Sequence, residues 1–317
     1  MDNQDIILCI LYRMPIKSAI LCASISKLFY RACEEICHTN LAHFFPDKNY
    51  KKILRQENYH QTFAICRHLN KLNKYGIIEY LYYCVSLDNS MMHITRLLPE
   101  IAYMQNLEHV YIPHNGFKQI PREIFKLVGL KILDLSRNDI SEIPDDITHL
   151  RKLREICLTH NYLSKISPRF FKLRSLEKIL FNCNHLAHIS SKISKLSNVS
   201  HLNLASNKIK TFPINICYMK KLQILDLFDN QIRYIPDDIT NSYQLRILNI
   251  NKNKLTKLPI SMSNLFNLNT LDISENPIQT IPKEIGTTYK LGEIYISNTG
   301  IDSDLLSNEF EHIAVYD

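Results

Sequence analysis

Residues 130–152 read L-K-I-L-D-L-S-R-N-D-I-S-E-I-P-D-D-I-T-H-L-R-K, and this stretch decides the fold. Leu133 and Leu135 alternate with polar neighbours around them, which is the period of a strand with one face turned inward. Asn138 ends that run, and Pro144 follows an Ile. Ile140, Ile143, Ile147 and Leu150 supply further apolar positions. Working outward in both directions, the same asparagine returns every 23 residues, at Asn115, Asn138, Asn161, Asn184, Asn207, Asn230, Asn253 and Asn276, with no insertion or deletion between them. The starting apolar residue returns with it, from Leu107 through Leu130, Leu153, Leu176, Val199, Leu222, Leu245 and Leu268 to Leu291. A fixed period of this kind means one supersecondary unit stacked many times, because a single unit cannot bury its apolar side alone.

Each unit fits L-x-x-L-x-L-x-x-N-x-I-x-x-I-P-x-x-I-x-x-L, which resembles the leucine-rich repeat in its Ile-Pro or Leu-Pro subtype. The resemblance implies an α/β solenoid, a curved horseshoe with a parallel β-sheet on its concave face. An asparagine side chain holds one acceptor and two donors and tolerates tight turns, so the ladder is expected to satisfy backbone groups of the turns above and below it. Pro121, Pro144, Pro213, Pro236, Pro259 and Pro282 are expected to hold the returning chain extended. Ser167 and Ser190 stand where proline is expected, which predicts a looser arc in those two repeats. Thr299 replaces the asparagine, and the polar tail 303–317 reads as a closing unit.

Composition sets the frame. The chain has 317 residues, 45% of them hydrophobic, enough for two domains or more. No run approaches the ~20 apolar residues of a membrane span, and Met-Asp-Asn-Gln-Asp gives no basic lead for a secretory signal. Nine cysteines at 9, 22, 33, 37, 66, 84, 157, 183 and 217 form no Cys-x-x-Cys pair and are odd in number, which reads as a reducing, cytoplasmic setting. Cys33 and Cys37 lie one helical turn apart, near His38 and His43, but with no second pair they make a poor metal site. The net charge of +7 is spread through the repeats rather than gathered in a stripe, which disfavours nucleic acid as a partner. Low Gly and Trp with abundant Ile, Asn, Lys and Tyr resemble coding in an AT-rich genome, as in protists or large DNA viruses, where the setting would be a host cytosol.

The first 44 residues break the period. Ile6, Ile7, Ile10, Leu11 and Met14 have helical spacing, Pro15 breaks it, and Ile20, Leu21, Ile25, Leu28 and Phe29 form a second apolar run. One reading is a small helical cap on the solenoid. The other comes from the order of residues: Asp5, Ile6, Ile10, Leu11, Met14, Pro15, Lys17, Ser18, Ser26, Lys27 and Phe29 resemble an F-box. The family usually opens on Leu-Pro, where this chain has Asp2 and Asn3. That resemblance implies a small all-helical domain docking on a Skp-type adaptor of a cullin ubiquitin ligase, with Ile6, Ile10, Leu11, Met14, Pro15 and Phe29 as the adaptor-binding residues.

The organisation expected is therefore residues 1–44 as an F-box-like helical domain, 45–106 as a helical linker with a degenerate capping repeat, and 107–317 as repeats with a C-terminal cap. In the middle segment, His60, Ile65, Leu69 and Leu72 suggest a helix, and 77–85 a strand or buried helix. Cys84 and Leu87 stand one period before Leu107 and Val110, with Met92 in place of the asparagine.

Function is sought on the outward strand positions. Tyr111, Asp134, Leu180, Asp226 and Tyr295 lie in one column, Phe228 two residues further on, and Ile224 and Ile247 two residues before. Large apolar groups stand there where solvent is expected, and aromatic side chains are favoured binding anchors. These eight form the candidate surface for a protein partner, with Phe228, Ile224 and Ile247 expected in one small patch flanked by Asp226 and Asp229. No nucleophile elbow, phosphate loop, His-x-x-x-His or Cys-x-x-Cys is present, so neither an enzyme nor a cofactor is expected. The leading reading is the substrate-recognition subunit of a cullin-type ligase. The alternative is a non-ligase intracellular scaffold that binds signalling proteins.

Overall fold

The computed structural model describes residues 86–91, 94–97, 101 and 105–317. The F-box-like head, the helix expected around His60–Leu72 and the segment 77–85 lie outside the described residues. Eleven three-residue strands follow chain order in an all-parallel sheet: β1 (Ser86–Asp88), β2 (His109–Tyr111), β3 (Ile132–Asp134), β4 (Glu155–Cys157), β5 (Lys178–Leu180), β6 (His201–Asn203), β7 (Ile224–Asp226), β8 (Ile247–Asn249), β9 (Thr270–Asp272), β10 (Glu293–Tyr295) and β11 (Ala314–Tyr316). The chain divides into two compact units. One holds the described residues up to Phe117 together with Pro121–Asp134; the other holds Lys118–Ile120 and Leu135–Asp317.

In the first unit Leu87 pairs with Val110, and Val110 with Leu133, so β1 continues the 23-residue register upstream of the first ladder asparagine. Asn115 bonds there to Ile94 N–H, and its amide reaches the Asn89, Ile112 and Pro113 carbonyls.

In the second unit the strands pair at the same offset, as Ile179 with Leu202, Leu202 with Leu225, and Leu225 with Leu248. The residues of the L-x-L pattern turn inward and are fully buried, as Leu225 and Leu227 show. A parallel strand cannot be closed by a tight hairpin, so each must be followed by a crossover. Here that crossover contains a short 3-10 helix after each of β2 to β9, five residues long in all but one repeat. The prolines stand at the N-caps of these helices with φ between −58° and −76°, and the carbonyl accepts from the residue three further on, as Ile239 N–H donates to Pro236. Proline therefore ends the extended segment and opens a turn, in a place where its missing N–H costs nothing.

The two serine repeats differ from each other. Ser190 takes over the proline's place, its Oγ accepts from Lys192 N–H, and the helix Ser191–Lys195 keeps full length. After Ser167 the helix shrinks to Phe170–Lys172. Phe170 and Phe181 fill the core at that level, with ring centroids 5.5 Å apart.

The ladder asparagines are nearly all buried, and from Asn161 to Asn276 their hydrogen-bond pattern repeats without change. Asn207 accepts from Leu186 N–H at 2.9 Å and donates to the Phe181, Leu204 and Ala205 carbonyls. Its side chain thus serves its own turn and the preceding one, rather than the turns on both sides. At the end of the array Thr299 offers no such acceptor, and Ile278 N–H turns instead to the carbonyl of Asn276 at 2.8 Å.

The closing unit is more than a polar tail. Helix α1 (Ser303–Glu309) is capped by the Asp302 carboxylate, which accepts from Leu305 N–H, and β11 pairs with β10. Leu306, Phe310 and Ile313 are buried beneath.

Candidate functional site

The outward column of the second unit is built by a local rule that the sequence states only as Asp or Asn. Asp226 Oδ1 accepts from Phe228 N–H at 3.0 Å, two residues on. Asn203, Asn249 and Asp272 make the same bond to the N–H groups of Ala205, Asn251 and Ser274. Asp and Asn side chains make such turns readily, so at these four positions the side chain has a structural role. The column three residues further on is set by a second rule. The residue before each ladder position, including Arg137, His160, Cys183, Ser206, Asp229, Lys252 and Glu275, is left-handed with φ between 50° and 56°, and none is glycine.

Around Asp226 these rules place charge and apolar surface side by side. Asn203 Nδ2 donates to Asp226 Oδ2 at 2.9 Å, and Asn251 Nδ2 to Asp272 Oδ2 at 3.2 Å. Burial pushes the Asp226 carboxyl above the ordinary carboxylate range. The Phe228 N–H and the Asn203 amide pull it down, and the charge of Asp272 adds to the rise. The Oδ1 of Asn251 is a buried acceptor without a partner. Beyond Asp226, the Lys252 ammonium lies 5.7 Å from the centre of the Phe228 ring and 3.1 Å from the Asp229 carboxylate. Lys252 did not stand out in the sequence. Its position in the left-handed column is the signal that aims it at the neighbouring strand's end.

The eight expected surface residues separate into groups. Ile224 and Ile247 are register partners on adjoining strands, and Ile247 is 36% exposed. Phe228 lies at the far side of Asp226, four residues or ~13 Å of extended chain from Ile224. The surface is therefore an isoleucine pair and a covered phenylalanine with a carboxylate between them. Leu180 pairs with Asn203, one strand further from Asp226. Tyr295 stacks on Tyr316 of β11, with centroids 4.6 Å apart, and closes the sheet's end. Tyr111 and Asp134 belong to the first unit, where they are register partners. The adaptor-binding residues Ile6, Ile10, Leu11, Met14, Pro15 and Phe29 lie outside the described residues.

Cys217 is the buried thiol of the second unit, and burial pushes it up to about 12, so it is protonated and inert at neutral pH. Among the described residues no cluster of His, Cys, Asp and Glu is placed to hold a metal, and no helix is long and apolar enough to cross a membrane.

Comparison with known proteins agrees with this geometry. Family models described as leucine-rich repeat match residues 105–163, 174–232 and 267–287. No curated protein matches the chain. A leucine-rich-repeat protein of Leptospira interrogans superposes with a TM-score of 0.55 at 21% identity, covering 76% of this chain and 79% of that one. The ectodomain of the plant membrane receptor kinase GASSHO1/SCHENGEN3 from Arabidopsis thaliana, in complex with CASPARIAN STRIP INTEGRITY FACTOR 2, gives 0.60 at 25% identity; the match covers 69% of this chain and 28% of that one. The functional domain of InlJ from Listeria monocytogenes gives 0.59 at 21% identity, covering 76% of this chain and 54% of that one. Repeat sequence, strand register and fold likeness agree that the described part of this chain is made of leucine-rich repeats stacked in a solenoid-like fold.

Proposed function

We propose that this protein is a non-enzymatic receptor subunit, in which the outward face around Asp226 holds a protein partner and the N-terminal segment docks on a Skp-type adaptor of a cullin ubiquitin ligase. The observation that carries the first half is the juxtaposition of exposed Ile247 and half-buried Ile224 with a desolvated carboxylate and a lysine-covered ring. Such a surface offers apolar contact together with a fixed charge, the combination that anchors a partner and sets its register. The plant receptor ectodomain was solved with a partner bound, which supports a protein ligand for this architecture. The second half rests on the F-box-like order of residues in the head, from Asp5 to Phe29. On this reading the chain acts in the cytoplasm, and its contribution to ubiquitin transfer is proximity: it raises the local concentration of the bound protein at the ligase.

The test is affinity capture from cells with the full chain, read by mass spectrometry, beside a variant carrying Ile10→Glu and Pro15→Glu and another carrying Phe228→Ala. Wild type should bring down the adaptor and cullin, and the head variant should lose both while keeping its other partners. Phe228→Ala should do the reverse. Absence of the adaptor from the wild-type sample overturns the ligase half and leaves a scaffold that binds signalling proteins. Equal partner capture by Phe228→Ala overturns the placement of the partner on the sheet face.

A further inference from the structure

The strand columns are not the only place where the 23-residue period lines up side chains. The residue that follows each 3-10 helix and its cap, just before the chain enters the next strand, forms a column of its own. In the second unit it reads Arg151, Arg174, Ser197, Lys220, Tyr243, Phe266 and Tyr289. The last three are exposed aromatics in successive repeats, at 49%, 63% and 86%. Three exposed rings stand at one place in three stacked repeats, and large exposed apolar groups in register mark contact surfaces rather than scattered surface residues. The other half of the column is cationic. Arg151, Arg174 and Lys220 are exposed and have no carboxylate partner among the described residues.

The column beside it is ordered across repeats. Asn198 and Asn267 donate to the Arg174 and Tyr243 carbonyls at 2.8 and 2.7 Å, and Lys221 and Lys290 in turn bond their Oδ1 atoms. These lysines lean on neutral amides, so their charge is not cancelled. Where the cationic and aromatic halves meet there is an open depression lined by Lys220, Lys221, Gln223, Tyr243 and Gln244, with Glu177 at its far side.

We infer that this edge is a second docking surface, and that its occupant is an extended peptide segment of a partner protein, acidic at one end and apolar at the other. Charge complementarity assigns the acidic end to Arg151, Arg174 and Lys220, and the apolar end to Tyr243, Phe266 and Tyr289. The free amides of Gln223 and Gln244 at the junction suit a peptide backbone, which carries donors and acceptors in alternation. Six strand spacings of ~4.8 Å separate the ends of the column, ~29 Å in all, which about nine extended residues would span. Single-stranded nucleic acid fits less well, because only Arg151, Arg174 and Lys220 of the column's seven positions are cationic and the aromatic half offers no charge to a phosphate backbone. The surface lies outside the sheet face proposed above and does not depend on it.

Fluorescence anisotropy with the full chain tests this, using a labelled synthetic peptide whose first half is Asp/Glu and second half Leu/Phe. Binding is expected, with Kd raised about tenfold by Phe266→Ala and likewise by Lys220→Glu. Both side chains are exposed, so circular dichroism should be unchanged. Phe228→Ala should leave the affinity as it is. Failure of the peptide to bind overturns the inference. So does equal binding of a wholly acidic peptide, loss of binding in Phe228→Ala, or tighter binding of an oligo-dT strand or of phosphatidylserine vesicles than of the peptide.

Discussion

The single carboxylate Asp226 shows how much one residue here must reconcile. It closes a local turn through Phe228 N–H, accepts from Asn203, and faces solvent on a surface otherwise marked by isoleucines. The same turn is made by neutral Asn203 and Asn249, so geometry at this position does not require a charge. Retaining the charge costs desolvation, which is why the folded-state pKa lies above the unfolded one. The folded state then holds this proton to higher pH than the unfolded chain does. Between the two values the native state binds more protons, so this group's contribution to stability is present below the unfolded pKa and is lost as pH rises through the raised value. Urea midpoints of wild type and Asp226→Asn, compared from pH ~4 to ~7, should therefore diverge, with wild type losing ground to the variant as pH rises. A difference independent of pH would show that the carboxylate is not desolvated. The left-handed column carries a further lesson at this scale. Its residues, among them Arg137, Ser206 and Glu275, share only the absence of β-branching, the shape least tolerated at positive φ. No glycine announces the turn, so it could not be read from any one repeat.

At the scale of elements, what was legible followed physical periodicity. The strands stood out because inward and outward residues alternate, and their register because the asparagine never shifts. The five-residue 3-10 turns carry no period of their own and were hidden behind the proline that opens them. The closing unit is legible as a unit where Thr299 ends the ladder, and Leu306, Phe310 and Ile313 recur within it at helical spacing and turn inward; its strand carries no such mark, because Ala314 and Tyr316 are exposed and Val315 is half-buried. The aromatic edge was present as a column all along, but it lies outside the strands, where binding residues are usually sought. The closing unit depends on a close approach that only a missing side chain allows. A Cβ at Gly286 would come within 2.5 Å of the Phe310 ring, which is itself 2% exposed. Gly286→Ala should push that ring out and cost ~1–3 kcal/mol, felt locally. Hydrogen exchange should then quicken in α1 and β11 while amides of β5 to β8 keep their protection. Unchanged protection of α1 would mean that Phe310 is free to repack.

Across the second unit as a whole, the ladder behaves as a chain of shared acceptors rather than a set of independent pegs. The Leu204 carbonyl receives both Asn207 and Asn230 at 3.0 Å, and the Leu227 carbonyl receives both Asn230 and Asn253. Each such oxygen has two lone pairs and uses both, so neighbouring repeats are coupled through it. Stacked repeats interact with their nearest neighbours only, and the coupling should fade as fast with distance. Asn207→Ala alone strands the Leu186 N–H together with part of its carbonyl partners, a loss of ~2–3 kcal/mol. It leaves Leu204 one remaining donor, as does Asn230→Ala alone. The double variant leaves that carbonyl none. Its cost should exceed the sum of the two singles by ~0.5–1 kcal/mol, whereas Asn161→Ala with Asn253→Ala, which share no acceptor, should add to within ~0.5 kcal/mol. Urea denaturation of the six variants measures both cycles. Additivity in the neighbouring pair would mean that each asparagine stabilises only its own turn, and that the strict 23-residue spacing is kept by the apolar core instead.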